Sequence, residues 1–404
     1  MRTHDVLIVG GGPVGVMLAA ALADRGLDAV VWEARVEDPA RSRALGVHPP
    51  SIDLFDRLGL ADDLLARAVR IRRGIATSGP RTIGAVPFDR TSGRWPFVAA
   101  VPQDATEAVL RRGLADRRDD ALRRGVRFVG LEQRDDDVVV HGVDDAGPVV
   151  AAARFVVGAD GTRSAVRAAV GVDSRARDLP DRYVMGDVAD ATGHGPDAVV
   201  HLERAGVVES FPLPGGRRRF VVHVGTVPEA VGRRAPTQAA PTATAPNPTA
   251  PTAEHLAALV SHRTGADVDP ATTTTTSAFG VRRRLATRTV VGRVVLIGDA
   301  AHEISPIGGQ GMNLGWLDGA ALETVLAAAL RRRGGRVLDP AAFGRFEAGR
   351  ARAALRAARQ AEWNTALGRP VGAGAARVRD LALGAVLHAP TRHVLASVYA
   401  MRWA

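Results

Sequence analysis

The sequence predicts an α/β fold: a parallel sheet wrapped by helices, an interleaved second domain of mixed α+β type, and closing C-terminal helices. Three observations carry this. A short apolar run, DVLIVG, leads through a Gly-rich turn and a helical stretch into a second apolar run, DAVVWEA. A middle region shows the alternation of antiparallel strands. From Asn313 onward the chain is rich in alanine and arginine and reads as helix.

Composition sets the outer limits. A chain of 404 residues, 46% of them hydrophobic, can bury a large core and form two packed domains. It has no cysteine, which excludes disulfides, thiolate nucleophiles and cysteine-based metal sites and fits a cytoplasmic location. The 53 basic residues are all arginine against 43 acidic ones, a net charge of +10. Without lysine, Schiff-base and Walker-type chemistry are excluded. Aromatics, at 4%, are too scarce for base stacking, and no nucleic-acid module is visible. The N-terminal apolar run is broken by glycines, so no targeting segment is expected. No apolar stretch approaches the ~20 residues of a spanning helix, so no stable membrane insertion is expected.

The elements follow in order. DVLIVG (5–10) is a short buried strand, GGPVGVMLAAALADRG a turn and helix stopped by Gly26, and DAVVWEA a second strand. This is a β-α-β unit of about thirty residues, whose helical crossover implies parallel strands. PPSIDLFDRLGLADDLLARA and ATEAVLRRGLADRRDDALRRG are expected as helices. VRFVGLEQRDDDVVVHGV and VVAAARFVVGADG alternate as strands. Residues 183–284 have an antiparallel texture with a hairpin turn at Pro214-Gly215-Gly216, and 71–100 contain similar pieces. The nucleotide-binding domain is therefore expected from 1–70, 101–180 and 285–404. The second domain is expected from 71–100 and 181–284. Within it, 235–253 is a Pro/Thr-rich stretch that cannot build a core and is expected as a disordered insertion.

Three motifs carry chemistry. In GGGPVG, Gly10, Gly12 and Gly15 satisfy G-x-G-x-x-G between a strand and a helix. Gly10 permits the tight turn, Gly12 lets backbone reach a pyrophosphate, and Gly15 lets helix and strand pack; the helix N-terminus then favours the phosphates. Glu33 closes the next strand, where an acid binds ribose hydroxyls and repels a 2′-phosphate, so the adenosine of FAD or NAD fits and NADP does not. The second motif is FVVGADGTRSAVR (155–167), with Asp160, Arg163, Ser164 and Arg167. The third is VVLIGDAAHEISPIGGQGMNLG (294–315), in which Asp299 ends a strand and glycines open a helix. Such a carboxylate suits a polyol, and such a turn offers N–H groups to negative charge.

In this order the motifs resemble those of the FAD-dependent group A aromatic hydroxylases, the para-hydroxybenzoate hydroxylase type. The likeness runs from Val6 to about Ala329, outside the Pro/Thr stretch. SRALGVHPPSIDLF and VPQDATEAVL add smaller matches. The resemblance implies a Rossmann-like FAD-binding domain of the GR2 class. It implies that Gly10, Gly12, Pro13, Val14, Gly15, Glu33, Ala34, Arg35, Arg43 and Gln103 hold the adenosine and phosphates. Asp299 would bond the ribityl chain, and Pro306, Gly308, Gly311, Met312 and Asn313 would lie along the isoalloxazine. Asp160 would contact FAD and NADPH or stabilise its own turn. The family's first proline before GGQG is here Ser305. His302 is expected as a structural hydrogen bonder.

The implied activity is that of a monooxygenase of secondary metabolism. It would use FAD, NADPH or NADH as transient co-substrate and molecular oxygen, and hydroxylate an electron-rich phenolic or polyketide-like ring through a flavin C(4a)-hydroperoxide. The substrate is expected to be small, hydrophobic and aromatic, bound against the second domain's sheet. The protein would act as a monomer or homodimer. Tyr183, His48, His201 and His223 are candidates by type for a general base. Two other readings stand beside it: a flavin-dependent reductase or epoxidase of an apolar substrate, and a flavin-binding regulatory protein without turnover.

Overall fold

The computed structural model describes residues 3–37, 44–226, 251–331 and 339–403. The first sheet holds β1 (Thr3–Val9), β2 (Ala29–Glu33), β8 (Leu122–Arg124), β9 (Arg127–Gln133), β10 (Val138–Asp144), β11 (Gly147–Gly158), β17 (Val290–Val291) and β18 (Val294–Leu296). Its centre, β18-β11-β1-β2-β8, is parallel, and β9 and β10 form an antiparallel lobe on β11. The second sheet runs β19-β16-β12-β15-β14-β13-β5-β6. Its strands are β5 (Arg73–Ser78), β6 (Arg81–Pro87), β12 (Ser174–Ala189), β13 (Ala198–His201), β14 (Val208–Leu213), β15 (Arg217–Thr226), β16 (Thr275–Ala286) and β19 (His302–Glu303). A third, small sheet joins β3 (Gly46–Val47), β7 (Val98–Ala100) and β4 (Val69–Ile71). The helices are α1 (Pro13–Asp24), α2 (Pro49–Arg57), α3 (Ala61–Leu65), α4 (Gln103–Ala115), α5 (Ala165–Ala169), α6 (Ala253–Thr264), α7 (Gly311–Arg331), α8 (Pro340–Leu367), α9 (Ala373–His388) and α10 (Arg392–Tyr399).

The parallel centre is buried on both faces, which explains its unbroken apolar runs. Successive side chains of β1 point to opposite faces. Val6 and Ile8 join the core under α1, α2 and α7, where Phe55 meets Trp316 edge-on at 5.3 Å. Leu7 and Val9 join Trp32, Val140 and Val166 in the core on the other face. Each such side chain stabilises the fold by roughly 1.5–3 kcal/mol. The strand ends are thereby held rigidly, and the loops that leave them inherit fixed positions.

Several expectations need correcting. The long helix expected after Ala105 stops at Ala115, and Leu122 instead pairs with Val31 as an edge strand. The helix from Pro49 breaks at Leu58-Gly59, where Gly59 takes φ +66°. β12 runs through the expected boundary at 180, with a register shift against β16 between Asp178 and Arg182, and β16 runs through that at 284. β19, the start of the glycine-rich loop, pairs with β16 in the second sheet. Residues 98–100 and 69–71 pair in the third sheet. Leu387 of α9 packs with Ile83 of β6, so part of the C-terminal region covers the second sheet. The end of the Pro/Thr stretch is ordered: Thr252 caps α6 by accepting from the His255 N–H. Residues 235–250 lie outside the described residues, as does Arg43.

Candidate cofactor and active site

The β1–α1 turn is shaped by contacts that only hydrogen atoms permit. A Cβ on Gly10, whose φ is +113°, would sit 2.4 Å from the Ala159 carbonyl oxygen. One on Gly15 would sit 2.1 Å from the Gly10 carbonyl oxygen. One on Gly12 would meet nothing within 4 Å, so the chain leaves open space there. α1 starts with Pro13, has Gly12 as its N-cap and no side-chain cap, so its first N–H groups point at that space unclaimed by a side chain. The Trp316 indole donates to the Pro13 carbonyl at 3.0 Å, fixing the helix start against α7. Val14 fills the gap below: a Cβ on Gly315 would lie 2.6 Å from it, and one on Gly298 3.4 Å.

Glu33 lies beside this turn at the end of β2. It accepts from the Gly11 N–H at 2.7 Å and from the Arg35 N–H and Nε at 2.9 and 2.8 Å. Burial raises its carboxyl, but the Arg35 bonds and the Gly11 N–H outweigh burial and hold it below the usual range. It stays an anionic acceptor. Ala34 and Arg35 are exposed just beyond it.

At the end of β11, Asp160 accepts from the Ala165 and Val166 N–H groups at 2.7 and 3.1 Å, and thus caps α5. Its other oxygen, Oδ1, is buried without a hydrogen-bond partner. Arg167 reaches across to the Ala300 carbonyl at 2.8 Å, tying this turn to the loop that carries Asp299.

Asp299 leaves β18 in a short 3-10 turn, Gly298–Ala300. Its side chain is exposed to solvent. Desolvation, with Glu303 and Asp318 near, pushes its carboxyl up to about 6. Behind it lies a buried network. Asp318 accepts from the Gly298 N–H at 3.0 Å, pairs with Arg350 Nε at 2.6 Å and meets His302 Nε2 at 2.5 Å. Burial disfavours both charges of the His302–Asp318 pair, yet their attraction wins: the imidazole is raised and the carboxyl lowered. Asp318 and Arg350 were missed from sequence. They lie on helices that read as ordinary Ala/Arg-rich stretches, and only the fold brings them to the loop.

The glycine-rich loop is held from behind by Asn313. Its Oδ1 accepts from the His48 N–H at 2.9 Å, and its Nδ2 donates to the Gly46 and Gly309 carbonyls at 2.8 and 3.0 Å. The Asn313 side chain is thus spent on positioning the loop, while Gly311 and Met312 are partly open. Gly308 and Gly309 take φ +97° and +66°, a path closed to most side chains. Pro306 is exposed, and the Ser305 hydroxyl accepts from the Ile307 N–H at 3.2 Å. Gln310, passed over in the sequence, is buried with both amide atoms unpartnered. Gln103 begins α4, accepts from the Ala44 N–H at 3.3 Å and donates to Glu107 at 2.7 Å.

Of the four candidate bases the structure brings two together: Tyr183 and His223 meet edge-on at 5.1 Å. Tyr183 is fully buried, stacked on Phe279 at 5.5 Å, and burial drives its hydroxyl well above the ordinary range. His223 is fully buried, with Nε2 3.1 Å from Asp181 Oδ1, and Asp181 is itself held by Arg369. His201 meets the Thr77 hydroxyl at 2.9 Å, and burial holds its imidazole down at about 4. Burial holds His48 at about 4 as well; its Nδ1 has no partner. His48, against the Gly309 turn, is the one beside the glycine-rich loop.

A family model described as FAD binding domain matches residues 3–358. The chain belongs to that family. The flavoprotein is 33% identical over 338 residues to 12-dehydrotetracycline 5-monooxygenase/anhydrotetracycline 6-monooxygenase of Streptomyces rimosus subsp. rimosus, covering 81% of this chain and 63% of that protein. It is 34% identical to rifampicin monooxygenase of Streptomyces venezuelae, covering 80% and 64%. The chain spans less than two thirds of the length of these curated relatives. Among solved structures, OxyS anhydrotetracycline hydroxylase from Streptomyces rimosus superposes with a TM-score of 0.76 at 28% identity, over 99% of this chain and 76% of that one. The p-nitrophenol 4-monooxygenase PnpA from Pseudomonas putida DLL-E4 shares the fold, with a TM-score of 0.84 at 22% identity over 100% and 98%.

The flavoprotein's residues fit FAD. The open space at Gly12 is one that a Cβ would intrude upon, at a helix start without a side-chain cap. On the loops after β11, β3 and β19, Asp160 Oδ1, His48 Nδ1 and the Gln310 amide are buried polar atoms without protein partners. Among the described residues no acid/histidine cluster suits a metal, and no helix is long and apolar enough to cross a membrane.

Proposed function

We propose that this flavoprotein is a monooxygenase that uses NADPH or NADH and molecular oxygen to hydroxylate an electron-rich aromatic substrate of phenolic or polyketide type. The observation that carries the reading is the match of the FAD-binding family model across 3–358, joined to relatives whose printed activities are tetracycline and rifampicin monooxygenations. FAD, when bound, supplies the oxidising chemistry.

The chain's own part is to bind, orient and exclude water. The α1 N–H groups beside Gly12 receive the pyrophosphate, and Glu33 accepts from the adenosine ribose. Asp299 accepts from the ribityl hydroxyls, and Arg43 and Gln103 help hold the adenosine and phosphates. Asp160 has one oxygen for its own turn and one for a ligand. Backbone of Pro306, Gly308, Gly311, Met312 and Asn313 flanks the ring system, while the Asp318–His302–Arg350 network holds that loop in register. The second sheet supplies an apolar wall for the aromatic substrate, which keeps water from the reacting atoms. The test is NADPH oxidation by the FAD-loaded protein with and without a panel of resorcinols and polycyclic phenols. Stimulation by a phenol supports the reading. Slow oxidation unchanged by every phenol, with FAD retained, favours a reductase or epoxidase.

A further inference from the structure

The hydroxylase reading leaves open what receives the proton of the substrate's ring hydroxyl, and the second sheet offers one group for it. Register places Met185, Val221, Glu209, Val200 and Ala76 side by side on five adjacent strands. Residues paired in register share a sheet face. Met185 and Val221 belong to an apolar cluster that also holds Ile307 of the glycine-rich loop and Leu387 of α9, and Val200 and Ala76 pack against it. Glu209 is thus a carboxylate set in the middle of an apolar row, roofed by the loop that flanks the cofactor.

Its surroundings do not neutralise it. Among the described residues Glu209 makes no ion pair or hydrogen bond. The guanidinium diagonal to it, Arg219, is held by both oxygens of Asp187 at 2.6 and 2.8 Å. Glu209 is half-buried, so its carboxylate still reaches the space above the sheet. Its charge is felt by the Tyr399 hydroxyl. That hydroxyl donates to Asn364 Oδ1 at 2.9 Å, and a Cβ on Gly308 would lie 2.9 Å from Asn364 Nδ2. The carboxylate, Tyr399, Asn364 and the loop therefore border one region. A carboxylate kept in such a place without a partner calls for a ligand that supplies one.

We propose that Glu209 accepts the hydrogen bond, and then the proton, of the substrate's ring hydroxyl. The O–H bond of the phenol breaks, its electron pair stays on the ring oxygen, and the proton forms a bond to a Glu209 carboxylate oxygen. Nothing is oxidised or reduced in this step. The ring becomes more electron-rich, which is what an electrophilic oxygen transfer requires. The inference rests on the hydroxylase reading for its substrate class.

The neighbouring groups make the assignment readable. Burial brings Glu209 to about 7. His201 and His48 stay near 4, His223 is lowered, Tyr399 is raised to about 12 and Tyr183 is raised further. Asp181, clasped by Arg369 and His223, is lowered, and Asp187 is paired with Arg219.

The experiment measures kcat/KM for resorcinol hydroxylation against pH, and resorcinol binding from the perturbed FAD absorption, in wild type, Glu209→Gln and Glu209→Asp. Wild type is expected to show a rise with a midpoint near 7 in both rate and binding. Glu209→Gln should lose that rise and fall about 100-fold on the alkaline plateau. Glu209→Asp should keep the rise, and resorcinol dimethyl ether, which has no proton to give, should not distinguish the variants. Matching FAD loading and melting temperatures show that folding is intact. A Glu209→Gln enzyme that keeps the rise and the plateau overturns the assignment and leaves the hydroxylase reading standing. Glu209-dependent binding without hydroxylation supports the assignment and overturns the hydroxylase reading. A wild type that neither binds nor hydroxylates resorcinol or 4-nitrophenol overturns both.

Discussion

Replacing Gly12 by alanine should separate folding from cofactor binding. Gly12 has φ −72° and ψ 178°, which alanine adopts without strain, and the added Cβ meets no protein atom within 4 Å. The lower unfolded-state entropy of alanine is worth about 0.4–1 kcal/mol, and alanine's weaker N-cap preference offsets part of it. The apoprotein should therefore melt within a degree or two of wild type. The same methyl enters the space where the pyrophosphate must approach backbone. Losing one charge-assisted N–H bond costs roughly 1.5–3 kcal/mol, so FAD affinity should fall roughly ten- to a hundredfold. Gly15→Ala is the contrast. Its Cβ would lie 2.1 Å from the Gly10 carbonyl oxygen, so α1 must move off β1 by more than an ångström to reach ordinary contact. That overpacking costs about 1–3 kcal/mol and should lower both melting temperature and affinity. The assay is thermal melting of the apoprotein with a fluorescence titration of FAD. A Gly12→Ala protein that binds FAD like wild type would refute the placement of the phosphates at α1.

Further outcomes follow from the loop behind the cleft. Asp318→Asn removes the charge that faces both His302 and Arg350, and breaking such a buried pair should cost about 3–5 kcal/mol, read as a fall in Tm. His302 is raised, so its contribution is present below about pH 6.5 and fades as pH rises through its folded value. Asp318 is lowered, so its contribution is present above about pH 4 and fades as pH falls further; the variant's deficit should be widest between. Asp299 is raised to about 6, so its own contribution to apoprotein stability is present below about pH 4 and fades as pH climbs to about 6. Asp299→Asn should remove that contribution, read as the pH dependence of the melting difference between wild type and variant, while weakening FAD binding.

The β1–α1–β2 unit was legible because its signals are local: the strand, the glycines and Glu33 sit within one crossover, and each has a steric reason visible in the letters. The Pro214–Gly216 hairpin was legible for the same reason, with β14 and β15 pairing across it. The segment 122–124 was misread because a three-residue edge strand carries too little periodicity to stand out from the helix before it. The borders expected at 180 and 284 fall within two long strands, β12 and β16, where Pro180 and a register shift between Asp178 and Arg182 are the local marks in the chain. Asn313 was expected along the ring system. Its side chain is consumed by Gly46, Gly309 and His48, which lie far apart in sequence and meet only after folding. Glu209 was invisible for a related reason: within ESFPL it reads as a solvent-facing strand residue, and only the register of five strands sets it in an apolar row.

The most direct measurement of the central claim is turnover of the FAD-loaded protein with NADPH and a phenol under isotopically heavy oxygen gas, followed by mass spectrometry of the product. A hydroxylated ring carrying one heavy oxygen atom is the predicted result. Product oxygen drawn from water, or NADPH consumption that yields only hydrogen peroxide for every phenol, would contradict it.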